Sequence, residues 1–385
     1  MRFLHTADWH IGKTLRGRSR NDEFAAALEQ VATIAREARV DVVLVAGDIF
    51  DSPAPPPEAE RLVYDFLARL LSEGIPAVLI AGNHDHPRKL AALARLLEGL
   101  RIHVRPEVRR PEHGGVVGVQ SRDRKQEARI ACLPFVAERR VFDACAVMGD
   151  STEWYQKYSD NIEKLLRELT AGLAAATVNL VLAHVLISGA RVGTGERPLH
   201  LGEIYGLNAQ QLPANVQYIG LGHLHRPQEI LAPSKTCYAG SLIELDFGEK
   251  EQDKRVVVVE AGPGSAATLE SVPLTAGRRL RDVSGNLDEL QKLAREVGDA
   301  YLRVTARVVA PLPGLSEQVK ELFPNAIDVT VEYPREAART PGTGDIRTLS
   351  PEQLFTDFCR KRNGAEPSSE IVGLFRRLHE EASQA

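Results

Sequence analysis

Aspartate, histidine and asparagine crowd into five short stretches of this 385-residue chain: Asp8-Trp9-His10, Gly47-Asp48-Ile49-Phe50-Asp51, Gly82-Asn83-His84-Asp85, a lone His184, and Gly222-His223-Leu224-His225. A divalent transition metal takes carboxylate, imidazole and amide oxygen together, and one ion needs only about three or four such ligands from a protein. Asp8, His10, Asp48, Asn83, His184, His223 and His225 are too many for one ion and right for two. A pair of ions roughly 3.5–4 Å apart needs a bridging carboxylate to offset its repulsion, and it can activate a water while gripping a phosphoryl oxygen. Asp48, on the central turn, is the natural bridge. Singly, a D-x-H or H-x-H pair is more often a local hydrogen-bond pair than a ligand pair. Five such turns in one chain reverse that reading.

The elements that must position these residues are strands. Apolar or small residues fill 2–7, 42–46, 77–81, 178–183 and 216–221, each run ending at one of the five turns. Such runs read as buried strands of an α/β sheet, where ligands bind at the strand ends, so the five turns are expected on one rim. Between them, Asn21 opens a helix with Phe24, Leu28, Val31, Ala35 and Ala38 at helical spacing. A second helix starts near Pro57-Glu58 and carries Leu62, Val63, Phe66, Leu67, Leu70 and Leu71, and a third spans 87–100 with Leu90, Leu93, Leu96, Leu97 and Leu100. That is a wide apolar stripe for helices covering one sheet face. Most of it reads as core, and the surplus, marked by Leu67 and Leu97, also suits a two-fold interface between copies. Short strands over 102–133, a helix over 160–176, a glycine-rich surface loop over 188–206, and strands near 236–238 and 255–260 complete an antiparallel second half. The expected fold is α/β, with a mixed sheet in two stacked layers flanked by helices.

Beyond the last metal-type turn the pattern changes. Strand, helix, strand, helix and strand alternate up to Tyr333, as in a small α/β domain serving recognition. The predicted organisation is a main domain over 1–275, a small capping domain over 276–334, a Pro-, Gly- and Thr-containing linker over 335–349, and a helical segment over 350–385. The two closing helices present Leu354, Phe355 and Phe358, then Ile371, Leu374, Phe375 and Leu378. Too short to form a core alone, they are candidates for docking on a partner.

Composition excludes more than it assigns. Forty-eight Lys and Arg against 52 Asp and Glu give a net charge of −4, so charge does not announce a nucleic-acid binder. The four cysteines, Cys132, Cys145, Cys237 and Cys359, lack a C-x-x-C pair and read as reduced packing residues rather than a zinc finger or disulfide frame. No signal-peptide core precedes Asp8 and no apolar run reaches the roughly 20 residues of a membrane span, so the expected compartment is the cytoplasm and no membrane partner is expected. The stretch Gly193-Thr194-Gly195-Glu196-Arg197 lacks the strand and lysine of a phosphate-binding P-loop, so any ATP dependence would come from a partner. His5, on the first strand, reads as a hydrogen-bonded structural residue.

The series D-x-H, G-D-x-x-D, G-N-H-D, H and G-H-x-H resembles that of the calcineurin-like metallophosphoesterases over about residues 1–250. Local wording narrows the resemblance. Leu4-His5-Thr6-Ala7-Asp8-Trp9-His10-Ile11-Gly12-Lys13, Gly47-Asp48-Ile49-Phe50-Asp51, Tyr238-Ala239-Gly240-Ser241, Asp246-Phe247-Gly248-Glu249 and Ser350-Pro351-Glu352-Gln353-Leu354-Phe355 are similar to the SbcD family of DNA-repair nucleases. The resemblance implies two divalent ions, manganese as a rule, with Asp8, His10, Asp48 and His225 on one and Asp48, Asn83, His184 and His223 on the other. It implies that His84 faces the scissile phosphate and protonates or stabilises the leaving oxygen, and that Asp51 stands where related phosphatases orient this histidine. It also implies DNA ends, hairpins and single strands as substrates, a homodimer within a heterotetramer, and an SbcC-like coiled-coil ATPase bound by the closing helices. Two rivals remain: a phosphomonoesterase of the same superfamily, in which Arg-Gly typically follows where this chain has Ser52-Pro53, and a non-catalytic interaction module, against which the intact seven-ligand set argues.

Overall fold

The apolar runs before the five turns are strands, and all five lie inside two six-stranded sheets. The computed structural model describes residues 1–137, 140, 158–193, 206–309, 312, 314–333, 350–363 and 367–384. Edge to edge, the first sheet runs Thr268–Pro273, Arg255–Glu260, Arg2–Thr6, Val42–Ala46, Ala77–Ile80, Ile102–Arg105. The last four are parallel, and Arg255–Glu260 runs antiparallel to both of its neighbours, Arg2–Thr6 and Thr268–Pro273. The second sheet runs Gln228–Ile230, Lys235–Tyr238, Tyr218–Gly222, Val178–His184, Glu127–Leu133, Val116–Gln120. Here the middle four are parallel and only the edges are antiparallel. The second half is therefore not the antiparallel array that the sequence suggested. Its central strands are buried on both faces, and Arg255–Glu260 has crossed to the first sheet to pair with Arg2–Thr6.

Between the sheets, Phe3, Val42, Leu44, Val78, Ile80 and Val257 meet Ile130, Leu180, Leu182 and Tyr218 in one apolar layer. One polar pair sits in it: His5 is fully buried, and its Nδ1 lies 2.8 Å from the Tyr218 hydroxyl. Gly220 leaves room for that ring, since a Cβ there would lie 3.2 Å from its atoms. His5 is thus a structural residue, as read from the sequence.

On the outer face of the first sheet pack α1 (Asn21–Glu37), α2 (Pro57–Ser72) and α3 (Pro87–Leu97). Pro57 and Pro87 open the latter two at the position where a missing N–H costs nothing. Of the two residues expected at a two-fold interface, one is buried and the other half-buried. Leu67 is 1% exposed inside its own core and Leu97 packs partly against the same core, because α1 and α2 lie side by side and use up the inner stripe. The exposed large apolar residues on these elements are Tyr64, Leu96 and, just past α3, Leu100. Helix Tyr158–Thr170, shorter than expected, covers the outer face of the second sheet with Ile162, Leu165, Leu166 and Leu169.

The chain divides into two compact units, 1–306 with 314–330, and 307–313 with 331–385. The three-stranded sheet of Leu280–Gly285, Tyr301–Arg307 and Ala326–Glu332 alternates with helices Leu287–Leu293 and Leu315–Leu322, and most of it falls in the first unit. In the second unit, Pro351–Asn363 and Ser369–Gln384 form a helical pair. Phe355 stacks on Phe375 at 4.2 Å between ring centroids, and Arg376 pairs with Glu352. These two phenylalanines, expected to face a partner, satisfy one another, whereas Leu354, Phe358, Ile371, Leu374 and Leu378 are exposed. The linker 335–349, Cys145, and residues 194–205 of the glycine-rich loop lie outside the described residues.

Candidate metal centre

Parallel strands end together, so the turns after Arg2–Thr6, Val42–Ala46, Ala77–Ile80, Val178–His184 and Tyr218–Gly222 share one rim. Their approach is tight enough to demand glycine. A Cβ on Gly82 would collide with the Asp48 carboxylate, one on Gly47 with His184 Nδ1, and one on Gly222 with the Ala46 carbonyl oxygen. Asp8, His10 and Asp48 each sit at φ 50°, and His223 at φ 107°. Left-handed backbone at non-glycine residues costs on the order of 1–3 kcal/mol each and persists where surrounding contacts enforce it. The enforcing contacts here are backbone hydrogen bonds between turns: Asp8 N to Gly47 O and His10 N to Asp48 O, both 3.0 Å.

The structure brings the seven expected residues together, six of them buried and Asn83 half-buried. Ligand atoms of Asp8, His10 and His225 lie within 4.8 Å of one another, as do those of Asp8, Asp48 and His184, and those of His10, Asp48 and His84. Asp48 is central. Its Oδ2 is 3.5 Å from both His10 Nε2 and His184 Nε2, while Oδ1 accepts the His84 N–H at 2.8 Å. Burial by itself would raise the Asp48 carboxyl, but His184, His10 and His84 around it outweigh burial and hold it well below the usual carboxylate range. Asn83 Oδ1 stands 3.0 Å from His184 Nε2 and 2.9 Å from His223 Nδ1, and Asp8 Oδ1 accepts the His223 N–H at 2.8 Å.

Three of the imidazoles are oriented from behind. His184 Nδ1 faces the Ala46 carbonyl oxygen at 2.7 Å, His10 Nδ1 faces Asp51 Oδ1 at 3.3 Å, and His225 Nδ1 faces Glu249 Oε1 at 2.7 Å. An acceptor behind Nδ1 places the proton there and leaves an Nε2 lone pair. Burial pushes His10 down to about 4 and lowers His184, which keeps both rings neutral at pH 7. Lone pairs of His184, Asn83 and Asp48 therefore converge with no proton among them, and His10 Nε2 is buried without a hydrogen-bond partner. A cation reconciles such a set, so the residues present fit divalent metal ions.

His84 is placed differently. Its Nδ1 donates to the Asp51 backbone oxygen at 2.7 Å, which turns Nε2 away from that contact, and its ring lies 4.5 Å from that of His10. The orienting role expected of the Asp51 side chain falls to its main chain, because the carboxylate is spent on His10 and on Lys13, 3.3 Å away. Sequence reasoning assigned no role to Asp85, Phe135, Glu249 or Lys254. Asp85 accepts the N–H groups of Phe50, Gly82 and Ile49 at 3.0, 2.9 and 3.2 Å, which ties the second turn to the third. Burial, then the nearby Asp48 charge, pushes it up to about 7. Phe135 stacks on His223 with centroids 6.1 Å apart. Asp85 was visible as the last letter of G-N-H-D; Phe135 follows a strand with no motif to flag it.

Comparison with known proteins decides the family. The calcineurin-like phosphoesterase family matches residues 1–227, and the family described as the type 5 capsule protein repressor C-terminal domain matches 276–363. The SbcD component of the nuclease SbcCD from Bacillus subtilis (strain 168) is 32% identical over 388 residues, covering 98% of this chain and 97% of that protein. The chain belongs to the SbcD family of calcineurin-like phosphoesterases. As an SbcD-family member it is a metal-dependent phosphodiesterase. A second relative, the corresponding SbcCD component from Rhodobacter capsulatus, is 30% identical over 383 residues and is covered to 93%, with 92% of this chain matched. Among solved structures, a dimetal phosphatase from Danio rerio aligns over 71% of this chain and 99% of its own at 13% identity with a TM-score of 0.41, a likeness too low to speak to SbcD chemistry.

Proposed function

We propose that this chain is the nuclease component of a DNA-repair complex, a manganese-dependent enzyme that hydrolyses phosphodiesters with two metal ions. The observation that carries the reading is the convergence of Asp8, His10, Asp48, Asn83, His184, His223 and His225 at one rim, with unprotonated donor atoms facing one another across Asp48. Asp8, His10, Asp48 and His225 would hold one ion and Asp48, Asn83, His184 and His223 the other. When bound, such a pair supplies an activated water and a clamp on a phosphoryl oxygen. His84, with Nδ1 held by Asp51 O, offers Nε2 to the leaving oxygen, a group that an alkoxide needs to depart.

The substrates in this proposal are DNA ends, hairpins and single strands, cut by exonuclease and endonuclease action. The partner is an SbcC-like coiled-coil ATPase, met by the exposed Leu354, Phe358, Ile371, Leu374 and Leu378. Two copies of this chain associate through the exposed apolar residues of α2 and α3, giving a homodimer within a heterotetramer. Support comes from the names of the two bacterial relatives, each the SbcD component of an SbcCD nuclease. The deciding experiment compares hydrolysis of a small phosphodiester dye, a phosphomonoester and end-blocked duplex DNA with manganese. Cleavage of the diester and the DNA is expected; preference for the monoester overturns the reading.

A further inference from the structure

Among the described histidines at the rim, His225 has the most elaborate backing. Glu249 Oε1 lies 2.7 Å from its Nδ1, and the other carboxylate oxygen receives Lys254 Nζ at 2.6 Å, Ser241 Oγ at 3.1 Å and Leu245 N–H at 3.1 Å. Lys254 Nζ in turn donates to the His225 carbonyl oxygen at 3.1 Å, to Ser241 Oγ at 2.8 Å and to Gln252 Oε1 at 3.0 Å. Glu249 is fully buried, Ser241 likewise, and Lys254 is 4% exposed. Burial of a carboxylate and an ammonium is unfavourable before their attraction is counted, and a purely architectural tie between strand and loop could be made by neutral groups. The geometry is specific instead: the lysine grips both ends of the His225 contact, its backbone oxygen and its carboxylate partner.

We propose that Glu249, clamped by Lys254, is a positioning residue that fixes the Nδ1–H form and the ring plane of His225 and thereby raises the affinity of one of the two metal positions, the one served by Asp8, His10 and His225. The pair acts on one position because the two imidazoles at the other have no carboxylate behind Nδ1: His184 Nδ1 faces the uncharged Ala46 carbonyl and His223 Nδ1 lies 2.9 Å from the Asn83 amide oxygen. A carboxylate behind an imidazole strengthens the donor nitrogen in front, whereas a backbone carbonyl does so less. This inference rests on the two-metal reading of the rim.

The test is calorimetric titration of manganese into the metal-free protein, with electron paramagnetic resonance counting bound ions. The unmodified chain should bind two. Glu249→Gln should weaken one of them by about 10- to 100-fold, the usual effect of losing such a partner, and leave the other within about twofold. Because Glu249→Gln strands the buried Lys254, the double variant Glu249→Gln/Lys254→Met, which removes the lone cation, is measured beside it. It should fold with a melting temperature nearer that of the parent and show the same one-site loss. Two ions bound with unchanged affinities in the folded double variant, or equal losses at both positions, would overturn the proposal. Failure of the unmodified chain to bind any manganese would instead overturn the two-metal reading itself.

Discussion

At the scale of single residues, the proposed function separates groups that would hold metal from a group that would handle a proton. Asp48→Ala removes the carboxylate lying between His10 and His184, and His184→Ala removes a neutral donor aimed at it, so either change should abolish manganese-dependent hydrolysis and lower the metal content of the purified protein. More than a few per cent of residual activity would refute the shared role of Asp48. His84→Ala should behave otherwise: both ions retained and the rate reduced by roughly 10²–10⁴, the span of a general-acid contribution. Loss of an ion from that variant would make His84 a ligand. Asp51→Asn should be milder than His84→Ala, because the oxygen that orients His84 is the Asp51 main-chain carbonyl, which the substitution keeps.

At the scale of elements, the two sheets are joined by a buried titratable pair. Burial drives His5 from 6.5 down to about 3, so in the folded protein it stays neutral at pH values where the unfolded chain takes up a proton. Its contribution is complete above about pH 6.5 and is lost as pH falls from there towards 3, at about 1.4 kcal/mol per pH unit. Burial lowers His10 and His184 in the same sense, so the informative quantity is a difference: His5→Gln should flatten the fall of melting temperature between about pH 6.5 and pH 4.5 relative to the parent. An unchanged slope would mean that His5 is protonated in place. The helices offer a second contrast. Leu67→Ala opens a cavity in the core and should cost about 2–5 kcal/mol in denaturant melts, whereas Leu96→Ala, 76% exposed before substitution, should stay within about 0.5 kcal/mol.

At the scale of the whole molecule, the metal-type residues all lie before Asp246 and the exposed apolar helices lie after Ser350. A chain ending at Arg339 should therefore keep manganese-dependent cleavage of single strands while losing stimulation by the ATPase and ATP. Unchanged affinity for the ATPase would place docking elsewhere. The proposed dimer would use the exposed Leu96 and Leu100 rather than the buried Leu67, so Leu96→Asp with Leu100→Asp should convert a dimer into a folded monomer in light scattering. A monomer from the unmodified protein at micromolar concentration would remove the interface from consideration. No helix among the described residues is long and apolar enough to cross a membrane.

The amino-acid sequence by itself determined which residues are candidate ligands and the strands that carry them, because both are local. Apolar runs of four to seven residues ending in Asp, Asn or His specify strand and turn without reference to the rest of the chain. What depended on distant segments stayed hidden. Arg255–Glu260 reads as a strand in any sheet, and only pairing with Arg2–Thr6 assigns it to the first. Leu67 and Leu96 are equally apolar, and only the packing of α1 beside α2 buries one and leaves the other in solvent. Glu249 stands 24 residues from His225, and Phe135 falls 88 before the His223 it stacks on, separations at which no periodicity speaks. Tertiary structure decides these matters because side-chain partners are set by which surfaces are buried together, a property of the assembled sheets and not of any one stretch.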